Sequence, residues 1–216
     1  MKIAVLNEVS AVDKNPEILE ALAGRGYEIL NLGMAAKEEQ PELLYIHTGF
    51  LAALLLHLRR VNFVVGGCGT GQGFLNAVLQ YPGIVCGHIL TPLDAWLFAQ
   101  INGGNCIALA LNQGYGWAGG VNLRFIFDRL FEPEWGGGYP PHRREPQREA
   151  RQVLEQVSAA AHRSFPELLE RLPEGVLLPA LSFPRIQAFL PIDAIEDLDI
   201  RSSLENRIGS RLRLQK

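Results

Sequence analysis

A cysteine stands inside a run of glycines in Gly66-Gly67-Cys68-Gly69-Thr70-Gly71-Gln72-Gly73, directly after the apolar stretch Val61–Val65. Glycines behind a strand serve three chemistries. A dinucleotide fingerprint needs G-x-G-x-x-G, and both frames fail: Gly67-x-Gly69 meets Gln72, and Gly69-x-Gly71 meets Phe74. A phosphate loop ends in Gly-Lys-Ser/Thr, which this segment lacks. The third is a nest of backbone N–H groups around an oxyanion. Gly69, Thr70, Gly71 and Gly73 suit it, because glycine permits positive φ and close ligand approach. Amides at a helix start also favour the thiolate form of a neighbouring cysteine. Cys68 therefore has two readings, as nucleophile or general base beside an oxyanion hole, or as a buried structural cysteine.

Few other residues are placed to assist it. Glu8 is the best carboxylate, because it ends the first apolar run. His88 falls at the ligand edge after the fourth strand and titrates near neutrality; the plainer reading is a loop histidine bonded to backbone. His47 ranks below it. Asp94 reads as a helix first-turn residue favoured by the dipole. Trp117 is a better pocket residue than Trp96, which reads as packing. Arg143, Arg144 and Arg148 form the one basic group that could meet an anion if the tail folds over the site, and otherwise read as a solvated helix start.

The elements that must position these groups alternate. Strands are expected at Lys2–Leu6, Tyr27–Leu32, Val61–Val65, Ile84–Cys86 and Cys106–Leu111. Helices are expected from Asn15-Pro16 to Gly24, over Pro41–Arg60 and Phe74–Leu79, from Thr91-Pro92 to Ile101, and over Val121–Phe131. This order gives βαβ units and a parallel sheet, and near-continuous apolar strands agree with a sheet covered on both faces. The predicted fold is a doubly wound, Rossmann-like three-layer α/β sandwich of about five parallel strands, over residues 1–133. Ligands bind beyond the carboxyl ends of such strands, which selects Asn7–Glu8, Gly66–Gly73, Gly87–Thr91 and Asn112–Trp117. Residues 134–216 read as a linker and a helical C-terminal extension on the core or a partner subunit. Helices are expected at Pro146–His162 and Phe165–Leu172, and no clear period from Leu177 onward.

Composition narrows the function classes. The chain has 216 residues, 48% of them apolar, enough for a well-buried core. A net charge of −3 argues against a nucleic-acid surface. The Lys2–Leu6 run is too short for a signal-peptide core, and Phe50–Leu58 is too short to span a bilayer. Cys68, Cys86 and Cys106 fit neither a disulfide framework nor a zinc pattern. A cytoplasmic protein with reduced thiols is expected, with no membrane or nucleic-acid partner.

The stretch from Val64 to Gly73 resembles the CGTGxG signature of the ribose-5-phosphate isomerase B and galactose-6-phosphate isomerase family. Tyr81-Pro82-Gly83-Ile84, Asn102-Gly103-Gly104-Asn105 and Trp135-Gly136-Gly137 resemble later family segments in register, so the likeness covers roughly residues 1–150. It implies aldose–ketose isomerisation of a sugar or sugar phosphate through a cis-enediolate, without metal, nucleotide or other cofactor. It makes Cys68 the base. Gly69, Thr70, Gly71 and Gly73 would hold the oxyanion, with Asn102 nearby and Tyr45 as a site tyrosine. It also implies a homodimer whose sites draw on both subunits.

The departures carry information. The family's Asp-His pair is Glu8-Val9 here, preceded by Asn7, and a second ring-opening histidine is Ile101. Cations that meet phosphate are replaced by Gly138, Gln80 and Val85, although phosphate normally wants Arg forks or Lys charges. Beside the sugar or sugar phosphate, these departures suggest an alternative substrate that is unphosphorylated or carries a carboxylate and is open-chain, as a 4-deoxy-5-keto uronate is. Two rivals remain: a sugar-binding protein that has lost catalysis, and a cysteine hydrolase or acyl transferase using His88.

Overall fold

The computed structural model describes residues 1–213. Five strands, β1 (Lys2–Asn7), β2 (Glu28–Asn31), β3 (Phe63–Cys68), β4 (Cys86–Ile89) and β5 (Cys106–Ala110), pair in parallel in the order β2-β1-β3-β5-β4. Helices α1 (Asn15–Leu22), α2 (Tyr45–His57), α3 (Gln72–Val78), α4 (Pro92–Leu97) and α5 (Gly119–Phe131) connect and follow them. One face of the sheet packs its apolar groups with α2 and α3, the other with α1, α4 and α5. The three-layer, doubly wound sandwich expected from the alternation is therefore present.

The strand order reverses between β1 and β3, which puts a crevice at the carboxyl ends of those two strands. α2 is buried along most of its length, from His47 to Leu55, because the sheet covers one side and the C-terminal helices cover the other. No single helix among the described residues is long and apolar enough to cross a membrane.

β4 needs correction. It runs over Cys86–Ile89, not Ile84–Cys86, so His88 lies in the strand and not in a loop after it. Ile84 and Val85 lie outside the ladder because Asn105 holds this entry. Its Oδ1 accepts from Val85 N–H at 3.0 Å, and its Nδ2 donates to the Gly83 carbonyl at 2.9 Å. Regular pairing starts one step later, at Cys86 opposite Cys106. The glycine turn after Glu134 is also no free linker. Gly136 and Gly138 N–H donate to the carbonyls of Ala99 and Gln100, and Trp135 Nε1 donates to that of Gly104.

Beyond it lie α6 (Arg144–Ala161), α7 (Phe165–Arg171), α8 (Glu174–Ser182), α9 (Pro184–Phe189) and α10 (Leu198–Arg213). Phe165, Leu169, Leu177, Leu181, Ile186, Ile200, Leu204 and Ile208 join the same apolar cluster as Phe50, Leu54 and Leu55 of α2. The region without a clear period is thus helical. α8 is apolar on most sides and carries Pro179 inside, so it shows no single stripe.

The loop between β2 and α2 is pressed onto the end of β1. Leu32 and Gly33 N–H donate to the Val5 carbonyl, and Met34 N–H to that of Asn7. A Cβ on Gly33 would stand 2.3 Å from Asn7 N and 2.7 Å from its carbonyl oxygen, backbone that cannot step aside. Gly33→Ala is expected to destabilise the fold by about 3 kcal/mol, the upper part of the range for overpacking, measured as a shift in urea midpoint with unchanged slope.

Candidate active site

Cys68 is the last residue of β3 and lies beside the crevice, 6% exposed. Its carbonyl accepts from Gly71 N–H at 3.3 Å and Leu111 N–H at 3.0 Å, which fixes the turn after it. Gly71 has φ +75° and opens α3, a backbone state that L side chains rarely take. The amides of this turn divide into two sets. Gly69 N–H donates to Ser10 Oγ at 3.2 Å, Gly71 N–H to Cys68, and Gln72 N–H to Thr70 Oγ1 at 3.3 Å. The N–H groups of Thr70 and Gly73 have no partner among the described residues, as the orphan donors of a helix start do. The open donors of the nest are these two, and the exposed Thr70 hydroxyl stands with them. Gly69 and Gly71 serve instead by leaving room. A Cβ on Gly71 would meet His88 Nε2 at 2.7 Å, and one on Gly69 would meet Asn112 Nδ2 at 3.3 Å.

Around this turn the structure gathers most of the predicted residues. His88 Nε2 donates to the Thr70 carbonyl at 2.8 Å, so that nitrogen carries a proton and faces the turn. Tyr45 opens α2 and lays its ring over Gly73, whose Cβ would stand 3.1 Å from it. Asn7 is buried, and its Nδ2 donates to the Ala11 carbonyl at 3.0 Å, so its side chain shapes the first loop. Glu8 is buried as well, 3% exposed. Burial pushes its carboxyl above the ordinary 4.5; hydrogen bonds from Ser10 oppose the shift, and nearby Glu42 adds to it.

Two groups had no signal in the sequence. Ser10 Oγ donates to Glu8 Oε1 while it accepts from Gly69, so one hydroxyl ties the acid to the glycine turn. Asn112 Nδ2 donates to the Ser10 carbonyl at 2.8 Å and closes the same corner. Ser10 is one polar residue in the short 3-10 helix Val9–Lys14 and Asn112 one in a loop, neither with a defining spacing, and only the Asn112–Trp117 loop as a whole was expected at this edge. Trp117 in that loop is fully exposed.

Three predicted residues lie elsewhere. α4 runs back against the strand direction, so Asn102, at the end of the π-turn Phe98–Asn102, sits at the amino-terminal edge of the sheet. Cys68 pairs with Ala110 at the other end of β5, roughly 13 Å away along the strand alone. Arg143 and Arg144 lie with Asn102's end of the molecule, because α6 packs there. Arg151 donates to the carbonyls of Ile101 and Gly136, and Arg144 reaches Glu134 at 3.5 Å. Asn102 and Arg143 are exposed. His47 is not in the crevice chemistry: Nδ1 accepts from Leu44 N–H at 2.9 Å, and Nε2 donates to the Gly175 carbonyl at 3.0 Å. A cleft of about 790 Å³ between the end of α2 and the start of α10 contains none of the predicted site residues.

The profile of the ribose/galactose isomerase family matches residues 3–120. Among solved structures, a 4-deoxy-L-threo-5-hexosulose-uronate ketol-isomerase complexed with a tartrate is 36% identical, with 97% of this chain and 100% of that one covered, at a TM-score of 0.90. A ribose-5-phosphate isomerase from Vibrio parahaemolyticus is 38% identical, over 95% of this chain and 98% of that one, at a TM-score of 0.88. A ribose-5-phosphate isomerase B from Clostridium thermocellum, 22% identical over 75% of this chain and 100% of that one with a TM-score of 0.63, shares the fold. No functionally curated protein matches the sequence.

The raised carboxyl of Glu8 gives a pH signature. A group that binds its proton more tightly when folded adds stability that is complete below the unfolded value, 4.5, and is lost as pH rises through the folded value. Glu8→Gln keeps an acceptor for Ser10 but does not titrate. The stability of wild type minus that of Glu8→Gln is therefore expected to fall from pH 4 to pH 7 in thermal unfolding, and a flat difference would count against a buried Glu8.

Proposed function

This chain belongs to the ribose/galactose isomerase family, and on that footing we propose that it isomerises an open-chain keto-uronate of the 4-deoxy-5-keto type, with Cys68 as general base. The carrying observation is Cys68 at the end of β3 beside the unpartnered N–H groups of Thr70 and Gly73, in a corner whose polar side chains (Glu8, Ser10, Thr70, His88, Asn112) include no Lys or Arg. In the proposed reaction the Cys68 thiolate takes the proton from C2 of the aldehyde. The C–H electron pair becomes the C1–C2 double bond, and the carbonyl pair moves onto O1. The N–H groups of Thr70 and Gly73 and the Thr70 hydroxyl hold that oxyanion. Cys68 returns the proton to C1, while the hydroxyl proton passes from O2 to O1. Glu8, buried and inclined to hold a proton, suits this second transfer, with Ser10 positioning it. Tyr45 lines the substrate side, Asn7 holds the first loop behind it, and His88 steadies the Thr70 carbonyl.

The 36% identical keto-uronate isomerase supports this substrate class over the full chain length. The Vibrio relative supports a second reading, a sugar phosphate as substrate. For either, we propose a homodimer in which Asn102, Arg143 and Arg144 of one subunit complete the Cys68 site of the other, because one chain alone keeps them at opposite ends of the sheet. The exposed Val153, Leu154 and Val157 on α6, 49–56% accessible, agree with a covered face there.

Two measurements test this. With 4-deoxy-5-keto uronate, ribose 5-phosphate and allose 6-phosphate as substrates, kcat/KM is expected to be highest on the uronate; a higher value on either phosphate overturns the substrate class. Cys68→Ala is expected to fold normally and lose kcat and C2 deuterium exchange by roughly 10³-fold, within the range for a general base. For the shared site, mixing inactive Cys68→Ala and Asn102→Ala proteins is expected to restore about a quarter of wild-type activity through heterodimers with one intact site. No restoration after subunit exchange overturns the shared site.

A further inference from the structure

We infer that the C-terminal extension is a brace for the substrate side of the crevice, with Arg185 as its positioning residue; the effect on catalysis rests on the reading above. Arg185 enters α9 directly after Pro184 and reaches across to the loop between β2 and α2. Its Nη1 donates to the Gly33 carbonyl at 2.6 Å and to Glu39 Oε2 at 3.3 Å, and its Nη2 donates to Glu39 Oε1. Glu39 is itself folded into the loop. Its Oε2 accepts from Ala35 N–H at 2.7 Å and Ala36 N–H at 3.3 Å. A two-point Arg–carboxylate pair fixes direction as well as distance, and this one is partly shielded, with side-chain exposures of 34% and 26%.

The braced loop has no regular structure from Leu32 to Leu44, yet both of its ends adjoin site residues. At its start, Gly33 lies under Asn7, and Met34 N–H bonds the Asn7 carbonyl. At its end, the Leu43 carbonyl accepts from Val9 N–H at 2.9 Å, directly behind Glu8. Leu43 N–H meets Met34 Sδ at 3.2 Å and joins the two ends. Two residues later comes Tyr45. The extension grips this end again through Gly175, whose carbonyl accepts a hydrogen bond from His47 Nε2 while His47 Nδ1 accepts from Leu44 N–H. Two separate helices of the extension thus hold one irregular loop, and the backbone of that loop sets Asn7, Glu8 and Tyr45. A loop without this brace must be ordered by the substrate, and that ordering cost appears in KM.

The full-length Arg185→Met, Arg185→Lys and Glu39→Gln proteins test this against wild type by two readouts. Amide hydrogen exchange of residues 32–44 needs no substrate. In Arg185→Met it is expected to quicken about tenfold or more in that loop, while β1 and β3 keep their protection. In isomerisation, KM is expected to rise about tenfold with kcat within about twofold, the signature of lost uniform binding. Glu39→Gln is expected to show a smaller change of the same kind and guards against a misfolded Arg185→Met. Arg185→Lys, a point charge that cannot fork, is expected to recover part of the KM. Unchanged exchange in the loop overturns the brace, as does quickened exchange with unchanged KM, or a loss confined to kcat. Wild type inactive on all three sugars would sink the isomerase reading alone, and the exchange data would still decide the brace.

Discussion

At the carboxyl end of β3 the backbone passes where side chains do not fit, and the crevice depends on that. A Cβ on Gly66 would stand 2.1 Å from the Phe74 ring, and one on Gly67 would stand 2.6 Å from the Leu109 carbonyl oxygen. Phe74 is fully buried and tucks its ring beneath the strand it has just left, so α3 starts within four residues of Cys68. Larger residues at 66 or 67 would push out that ring or spread β3 from β5, and close packing transmits such shifts. The same tightness makes Cys68 the first position after two glycines with a side chain to present. It also leaves the Thr70 and Gly73 amides without partners among the described residues. The packing that makes the strand-to-helix turn short also leaves these two donors open beside Cys68.

The sheet was legible because parallel strands bury both faces and so read as short apolar runs between turn residues. Val61–Val65 and Cys106–Leu111 found their strands within a few residues. The fourth strand slipped because Ile84 and Val85 are apolar but are held by Asn105, a side-chain contact across twenty positions that no local pattern records. The helices after Leu177 hid for the opposite reason. α8 is buried between α2 and α10, so its apolar residues point in several directions and the 3.6-residue stripe disappears, whereas α10 keeps a stripe at Ile200, Leu204 and Ile208. At the site, glycine and cysteine announce themselves by type and spacing. Ser10 and Asn112 do not, since a lone serine or asparagine in a loop is ordinary until its partners are known.

Asn102 and the two arginines show a further limit of linear reading. A motif can be in correct sequence register and still lie at the wrong end of one sheet, because each crossover helix carries the chain back to the start of the next strand. β5 separates Asn102 from Cys68 by its whole length. The residues at that far end are polar and exposed, while the seating beneath them is firm. Trp135 lies edge-on to Phe63 and Phe98 and donates to Gly104. Arg151 pins the two carbonyls that frame the turn.

The two positions where the family carries ring-opening histidines are informative in the folded chain. Val9 is packed against the α2-side cluster, with its N–H bonded to Leu43. Ile101 is half-buried, with its carbonyl held by Arg151. Neither leaves a vacancy that a neighbouring acid fills. A hexose or pentose phosphate spends most of its time as a ring closed by the hydroxyl on C4 or C5, and an enzyme for it needs a group that moves a proton to open that ring. A 4-deoxy-5-keto uronate has no hydroxyl on C4 and a ketone at C5, so neither ring forms. On the keto-uronate reading proposed above, the departures at the histidine and phosphate-facing positions follow from one change of substrate rather than several independent losses. On that reading, Cys68 and the open amides of Thr70 and Gly73 are the parts that proton transfer between adjacent carbons requires.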